Sequence, residues 1–286
     1  MKRMVIVGFI LLMSAFFMNR TLAQSGPSWL IQGNLDGATK IWDFIEIPNT
    51  SIIIAGGLAG DNAAIWKSTN GGLTWTRKFY VWHSHWSQRG IAQFAYDGVK
   101  NIIFACSALN YSHLDWLSIH YSIDQGETWT SLVHPEILGQ NAGAFSILLL
   151  NNKLYIAYQE DRPENGNNWN IYSAMLFRLD VSSVNPSDWV WEFLMQYPEL
   201  DYIMRLAEKN GMLYVFGRDK ASNAIRVFTY NTQVLDNMAT RIGTVEEVRL
   251  QVEQYQAQLA QQEDKNSASD DHSSDQVVPV NEPAQR

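Results

Sequence analysis

The chain has a single cysteine, Cys106, inside the apolar stretch IIFAC (102–106). One thiol excludes an intramolecular disulfide, so stability must come from a buried core, with Cys106 expected as a small hydrophobe within it. Bases are scarce too. Lys and Arg total 21 against 29 Asp and Glu, a net charge of −8, which argues against a nucleic-acid partner. The acid excess is uneven: from Glu263 onward there are six acids (Glu263, Asp264, Asp270, Asp271, Asp275, Glu282) and two bases (Lys265, Arg286). Long apolar runs are missing except between Met4 and Met18, which falls short of the roughly 20 residues that span a bilayer. Lys2 and Arg3 precede that run, and Thr21 and Ala23 set small residues around a cleavage point. Residues 1–23 therefore read as a cleaved export signal rather than an anchor, and the expected location is secreted or periplasmic. No cofactor is implied by any motif.

What the chain does have is repetition and tryptophan. All eleven tryptophans lie between Trp29 and Trp191. Four segments each read as strand, tight turn, strand: 42–57, 91–107, 143–159 and 202–218, with turns at Asn49-Thr50-Ser51, Asp97-Gly98, Asn151-Asn152 and Asn210-Gly211. A third strand follows each, at 63–69, 117–123, 170–179 and 223–231. The period of about fifty residues, four strands to the unit, is that of β-propeller blades. A β-sandwich would match the strand density but not the period. The expected fold is thus an all-β propeller over 25–243 with about four recognisable blades. Unit four lacks a fourth strand, and the segment around Trp29 is a candidate to supply it.

In units one and two the link from third to fourth strand is one phrase written twice, STNGGLTW (68–75) and SIDQGETW (122–129). Unit three has a worn version, SVNPSDW (183–189). Gly72 and Gly126 permit a left-handed turn. Ser68, Asn70 and Thr74, like Ser122, Asp124 and Thr128, can bond turn amides, and Trp75 and Trp129 open the next strand. A catalytic or metal role for Asp124 is undercut by the neutral Asn70 in the same place. The phrase resembles the Asp-box, or BNR repeat, of sialidases and related exported propellers. That resemblance implies structural turns on the face opposite a ligand site. It also implies three arginines on a substrate carboxylate, the first in an Arg-Ile-Pro motif. Here the matching triplet is Glu46-Ile47-Pro48, and AGGLAGDNA (55–63) has no arginine, though Asp61 could stand for the family's catalytic aspartate. An acid in place of the first cation would repel a carboxylate, so sialidase chemistry is not expected.

If the repeated phrases share one face, the ligand face carries the richer connections: 56–63, 81–90, 107–118, 134–143, 159–170, 196–202 and 218–224. Trp82, Trp86, Trp116 and Trp169 suit a stacking platform for a glycan or an extracellular protein, although tryptophans at blade edges equally serve packing. His83 and His85 point to one side of an extended segment and, with His113 or Asp115, would make a metal site. Two histidines alone are a weak signal, so plain loop histidines are the better expectation and no metal is assigned. Arg89, Arg162, Arg205 and Arg218 are candidate cations. Asp61, Glu160 and Asp161 are candidate carboxylates for glycoside hydrolysis, whose spacing no sequence supplies. The expected function is an exported, non-catalytic binding or scaffold module, with a sialidase-like glycoside hydrolase as the rival.

After Gly243 the pattern becomes helical. Thr244 and Glu247 form a capping-box pair, and Val245, Val248, Val252, Tyr255 and Leu259 follow a 3-4 spacing. An amphipathic helix is expected over 244–262, docked on the propeller or weakly self-associating through 244–260. A disordered acidic tail is expected over 263–286.

Overall fold

The computed structural model describes residues 34–81, 90–107, 117–135, 143–161 and 172–270. The expected export signal (1–23), Trp29 and residues 271–286 lie outside them. Residues 1–34 and 35–286 separate as two units, and the first is outside the described residues but for Asn34.

Four antiparallel sheets follow one another along the chain, and the fold is a β-propeller. Blade one is β1 (Ala38–Glu46), β2 (Ile53–Ala59), β3 (Asn62–Ser68) and β4 (Thr76–Val81). Blade two is β5 (Ile91–Asp97), β6 (Ile102–Ser107), β7 (Leu117–Ser122) and β8 (Thr130–Val133). Blade three is β9 (Gly143–Leu150), β10 (Lys153–Asp161), β11 (Tyr172–Asp180) and β12 (Val190–Tyr197). Blade four has three strands, β13 (Leu200–Lys209), β14 (Met212–Asp219) and β15 (Ile225–Asn231). The turns are chosen locally. Asn151 and Asn152 have φ 50° and 60°, and Asn210 and Gly211 have 55° and 76°, the paired left-handed conformations that two-residue hairpins demand.

Alternation along the second strands builds the core. Ile103 and Ala105 of β6 pack toward blade one with Ile54, Ile65, Ile91 and Phe94. Ile102, Phe104 and Cys106 turn the other way, onto Ile147, Ile156 and Tyr158 of blade three. In β10 the same split sends Ile156 and Tyr158 back, and Tyr155 and Ala157 forward to Leu206, Leu213 and Val215 of blade four. A strand buried on both faces reads as a continuous apolar run because each parity of residue has its own neighbour. Each fully buried side chain such as Phe104 or Phe177 contributes about 2–3 kcal/mol of transfer free energy. Cys106 is buried among these, and burial pushes its thiol pKa up.

The chain does not stop at blade four. It forms helix α1 (Thr232–Met238), capped by Asn231 Oδ1 on the Gln233 N–H, and then β16 (Thr240–Thr244). β16 returns to pair with β12 as a fifth, outermost strand of blade three. Helix α2 (Val245–Asp270) begins there: Thr244 N–H donates to Glu247 Oε2 (2.7 Å) and Glu247 N–H donates to Thr244 Oγ1 (3.1 Å). Val248 and Val252 are buried, Val248 in the cluster that holds Trp189. The helix runs to Asp270, past the expected boundary at 262, because QEDKNSAS (262–269) contains neither Gly nor Pro to end it. No helix among the described residues is long and apolar enough to cross a membrane.

Candidate functional site

The two ends of the blades differ. At one end lie the first-to-second and third-to-fourth strand turns, tied together in blade one by the Gly71 N–H donating to Ser51 O (2.9 Å). The repeated phrase is at this end, and its Ser, Asn or Asp and Thr side chains bond one another and the turn's own amides. Ser68 Oγ donates to Asn70 Oδ1 (3.0 Å) and accepts from the Gly72 N–H (2.9 Å), while Asn70 Oδ1 accepts from the Thr74 N–H (2.9 Å). The second copy has the same lattice: Ser122 Oγ to Asp124 Oδ1 (2.8 Å), Gly126 N–H to Ser122 Oγ (2.8 Å), and Thr128 N–H to Asp124 Oδ1 (2.9 Å). Trp75 Nε1 donates to Gly72 O (2.9 Å), a bond without a counterpart at Trp129, whose buried Nε1 has no partner among the described residues. One further bond reverses. The Asn70 amide donates to Thr74 Oγ1 (2.9 Å), whereas the Thr128 hydroxyl donates to Asp124 Oδ2 (2.6 Å). The worn copy is rewired: Asn185 caps a 3-10 turn (Pro186–Asp188), and Trp189 Nε1 donates to Ser183 O (2.9 Å). Glu46, the acid in the Glu-Ile-Pro triplet, is the last residue of β1 and so also sits at this end.

The antiparallel order sends the ends of the second strands to the other end of the blades, and with them the candidate groups that are described. Asp61 is exposed in the two-residue turn after β2, where Thr39 Oγ1 donates to Gly60 O (2.8 Å). Glu160 and Asp161 close β10, and Arg218 is near the end of β14. These groups share an end but belong to blades one, three and four. Arg218 is engaged locally: Nη2 and Nε lie 2.6 and 3.1 Å from Asn223 Oδ1, Nε is 3.6 Å from Asp201 Oδ2, and the guanidinium stands over Tyr202. Asp219 beside it organises the turn. Its carboxylate accepts from Ser222 and Ala221 and pairs with Arg226, and these bonds hold its pKa below the usual range. Trp82, His83, His85, Trp86, Arg89, His113, Asp115, Trp116, Arg162 and Trp169 lie outside the described residues. Among the described residues no group of three or more His, Cys, Asp or Glu is placed to hold a metal.

A polar cluster unforeseen from the sequence sits at this end, in blades two and three. Ser118 Oγ is 3.3 Å from His134 Nδ1 and donates to Tyr158 Oη (3.0 Å). His120 Nδ1 is 2.8 Å from Ser131 Oγ and its Nε2 is 3.1 Å from Ser107 Oγ. His120, His134 and Tyr158 are fully buried, and burial drives the Tyr158 pKa upward. Buried imidazole and hydroxyl groups persist because they satisfy one another. They fix the strand ends from which connections 108–116 and 136–142 depart. The alternation of Ser118 and His120 in LSIHYS was the available signal.

The third feature is axial. Each innermost strand carries a β-bulge at the same register, at Trp42, Ala92, Phe145 and Met204. The residue after the bulge is Asp43, Gln93, Ser146 and Arg205 in turn. Asp43 Oδ2 accepts from the Phe94 N–H (2.7 Å), Gln93 Oε1 from the Ile147 N–H (3.2 Å) and Ser146 Oγ (2.8 Å), and Ser146 Oγ from the Leu206 N–H (3.0 Å). Blades one, two and three thus each offer an oxygen to the backbone of the next. Arg205, at the fourth position, is exposed and has only donors.

No family model matches the chain, and no curated protein matches it. Among solved structures it is similar to a GH74 enzyme of Niastella koreensis, at 21% identity and TM-score 0.44, covering 68% of this chain and 28% of that one. It is similar to the GH74 xyloglucanase of Xanthomonas campestris at 12% and 0.46, covering 67% and 28%. The NanB sialidase of Streptococcus pneumoniae gives 14% and 0.37, covering 67% and 30%. The chain spans less than a third of the length of each of the three. The propeller architecture rests on the chain's own four sheets.

Proposed function

We propose that the chain is an exported Asp-box propeller that serves as a non-catalytic binding module and takes a glycan at the blade end opposite the repeated turns. The observation that carries this reading is the division of labour between the two ends. The Ser, Asn or Asp and Thr side chains of the repeated turns are used in the turns' own hydrogen bonds, and Glu127 of the second copy is paired with Lys67 and Lys78 of blade one. At the opposite end the buried Ser118–His134 and His120–Ser131 pairs hold the roots of connections 108–116, whose sequence contains Tyr111 and Trp116, and 136–142. Rigid supports beneath variable loops are what preorganised recognition needs. Trp82, Trp86, Trp116 and Trp169 would stack on sugar faces, with Arg89 and Arg162 as polar partners.

A hydrolase reading is favoured by one observation: Asp61 in blade one and Glu160–Asp161 in blade three share the same end. A glycan array probed beside a panel of fluorogenic glycosides separates the two. Saturable glycan binding without turnover, weakened by Trp82→Ala or Trp116→Ala at unchanged melting temperature, is the expected result. Turnover abolished by Asp61→Ala would replace binding with catalysis. Export is tested by sequencing the N-terminus of protein recovered outside the cytoplasm, which should begin at Gln24.

A further inference from the structure

Blade four ends the series with a face unlike any other. The residues of β13, β14 and β15 that point toward blade three are the buried set Ile203, Leu206, Leu213 and Val215. The opposite face carries the cross-strand rows Tyr202–Arg218–Ile225 and Arg205–Phe216–Val227. Ile225 and Val227 are 55% and 50% exposed, and the bulge residue Met204 is 44% exposed. Aromatic, aliphatic and arginine side chains together are the composition of protein-binding hot spots, and the one lysine of this face, Lys209, stands at its turn end in the row Lys209–Met212–Asn231.

Polarity selects the occupant. At the three interior junctions the residue after the bulge accepts from the next blade's backbone N–H. A further blade of the same pattern would present an N–H to Arg205, donor against donor. A second copy stacked blade one onto blade four does so as well, because Phe44 of β1 holds the register position of Phe94, Ile147 and Leu206. Arg205 thus acts against self-stacking and demands an oxygen. Among the described residues Arg205 makes no ion pair or side-chain hydrogen bond, and its neighbour Arg218 adds positive charge only partly answered by Asp201 at 3.6 Å.

We propose that this face of blade four docks an extended segment of a partner protein, whose aspartate or glutamate carboxylate pairs with Arg205 while apolar residues on either side cover Phe216, Val227 and Ile225. This surface meets the loop end at Arg218, but its pairing at Arg205 does not depend on the glycan reading. The test uses the full chain and two capped heptapeptides, TVEVEVT and its glutamine counterpart TVQVQVT, titrated and followed by tryptophan fluorescence and by NMR. The expected result is saturable binding of the glutamate peptide, with the glutamine peptide about tenfold weaker. Arg205→Gln should erase that preference at unchanged melting temperature, and Val227→Glu should abolish binding of the acidic peptide. Equal binding of the two peptides, binding of neither, or a preference that survives Arg205→Gln overturns the proposal. So does a concentration-dependent dimer that Val227→Glu dissolves, which would put a second copy on this face.

Discussion

A Cβ placed on Gly126 would stand 2.6 Å from Cδ1 of Ile54, a residue of the preceding blade. The glycine of the second repeated phrase is therefore doubly constrained, by its φ of 82° and by its neighbour. Gly72, its counterpart at φ 89°, has only ordinary contacts, at 3.7 Å to Trp75 and 3.8 Å to Ile53. Gly126→Ala should cost about 2–4 kcal/mol and Gly72→Ala about 1 kcal/mol. Ile54→Val removes the offending methyl, so the Gly126→Ala/Ile54→Val double variant should be less destabilised than the sum of the singles. Urea unfolding of the four proteins decides it; strict additivity would mean that the blades do not meet at this glycine.

The titratable member of the repeated pair predicts a pH dependence. Burial raises the Asp124 pKa, but bonds from the Thr128 hydroxyl and N–H and from Ser122 outweigh it, and the net shift is downward from 3.8. A depressed folded-state value gives stability that is present above the unfolded value and is lost as pH falls through the folded one. Asp124→Asn, which gives the second copy the side chain that the first carries at Asn70, should therefore cost about 1 kcal/mol at pH 7. That gap from wild type should close as the pH drops below about 4. Thermal melts from pH 3 to 7 read it directly, and a gap that widened on acidification would refute the assignment.

Glu127, also in the second phrase, bridges blades. Its carboxylate oxygens lie 2.6 Å from Lys67 Nζ and 2.7 Å from Lys78 Nζ, both in blade one, and Lys67 leads the causes that hold its pKa down. The Lys67 side chain is only 4% exposed. Glu127→Gln should cost about 2 kcal/mol by stranding that buried ammonium. Adding Lys67→Met should recover much of the loss, as a double-mutant cycle in chemical denaturation would show.

Arg178 gives the matching test for the C-terminal return. Its buried guanidinium bonds Glu192 Oε2 (2.7 Å) within blade three and Asp236 Oδ1 (2.5 Å) on α1. Asp236→Ala should loosen α1 while leaving the blades intact. Amide exchange at 232–244 should rise at least about tenfold with little change in the global unfolding midpoint. A large global loss would instead make α1 part of the main cooperative unit.

Turns were the most legible part of the sequence, because Asn151-Asn152, Asn210-Gly211 and the repeated phrase are read from neighbours in the chain. Blade four's missing fourth strand was legible in the same way. β16 was not: TRIGT is too short to show a period, and its partner Val190–Phe193 lies some fifty residues upstream. The axial positions were hidden for a different reason. A bulge shifts the two-residue phase by one, and Asp43, Gln93, Ser146 and Arg205 share a place in the register but no chemistry that a repeat search would align. Of the candidate site, the end of the blades was legible from topology, while the buried Ser118–His134 pair was not, since its members are distant in sequence.

The return of β16 to blade three also fixes an order of events. During synthesis, blade three is complete in length once Tyr197 has emerged, yet the outer edge of β12 stays unpaired until residues 240–244 follow. Through the making of blade four the nascent chain carries that open edge, and a ribosome stalled in between would expose it to whatever strand is nearest.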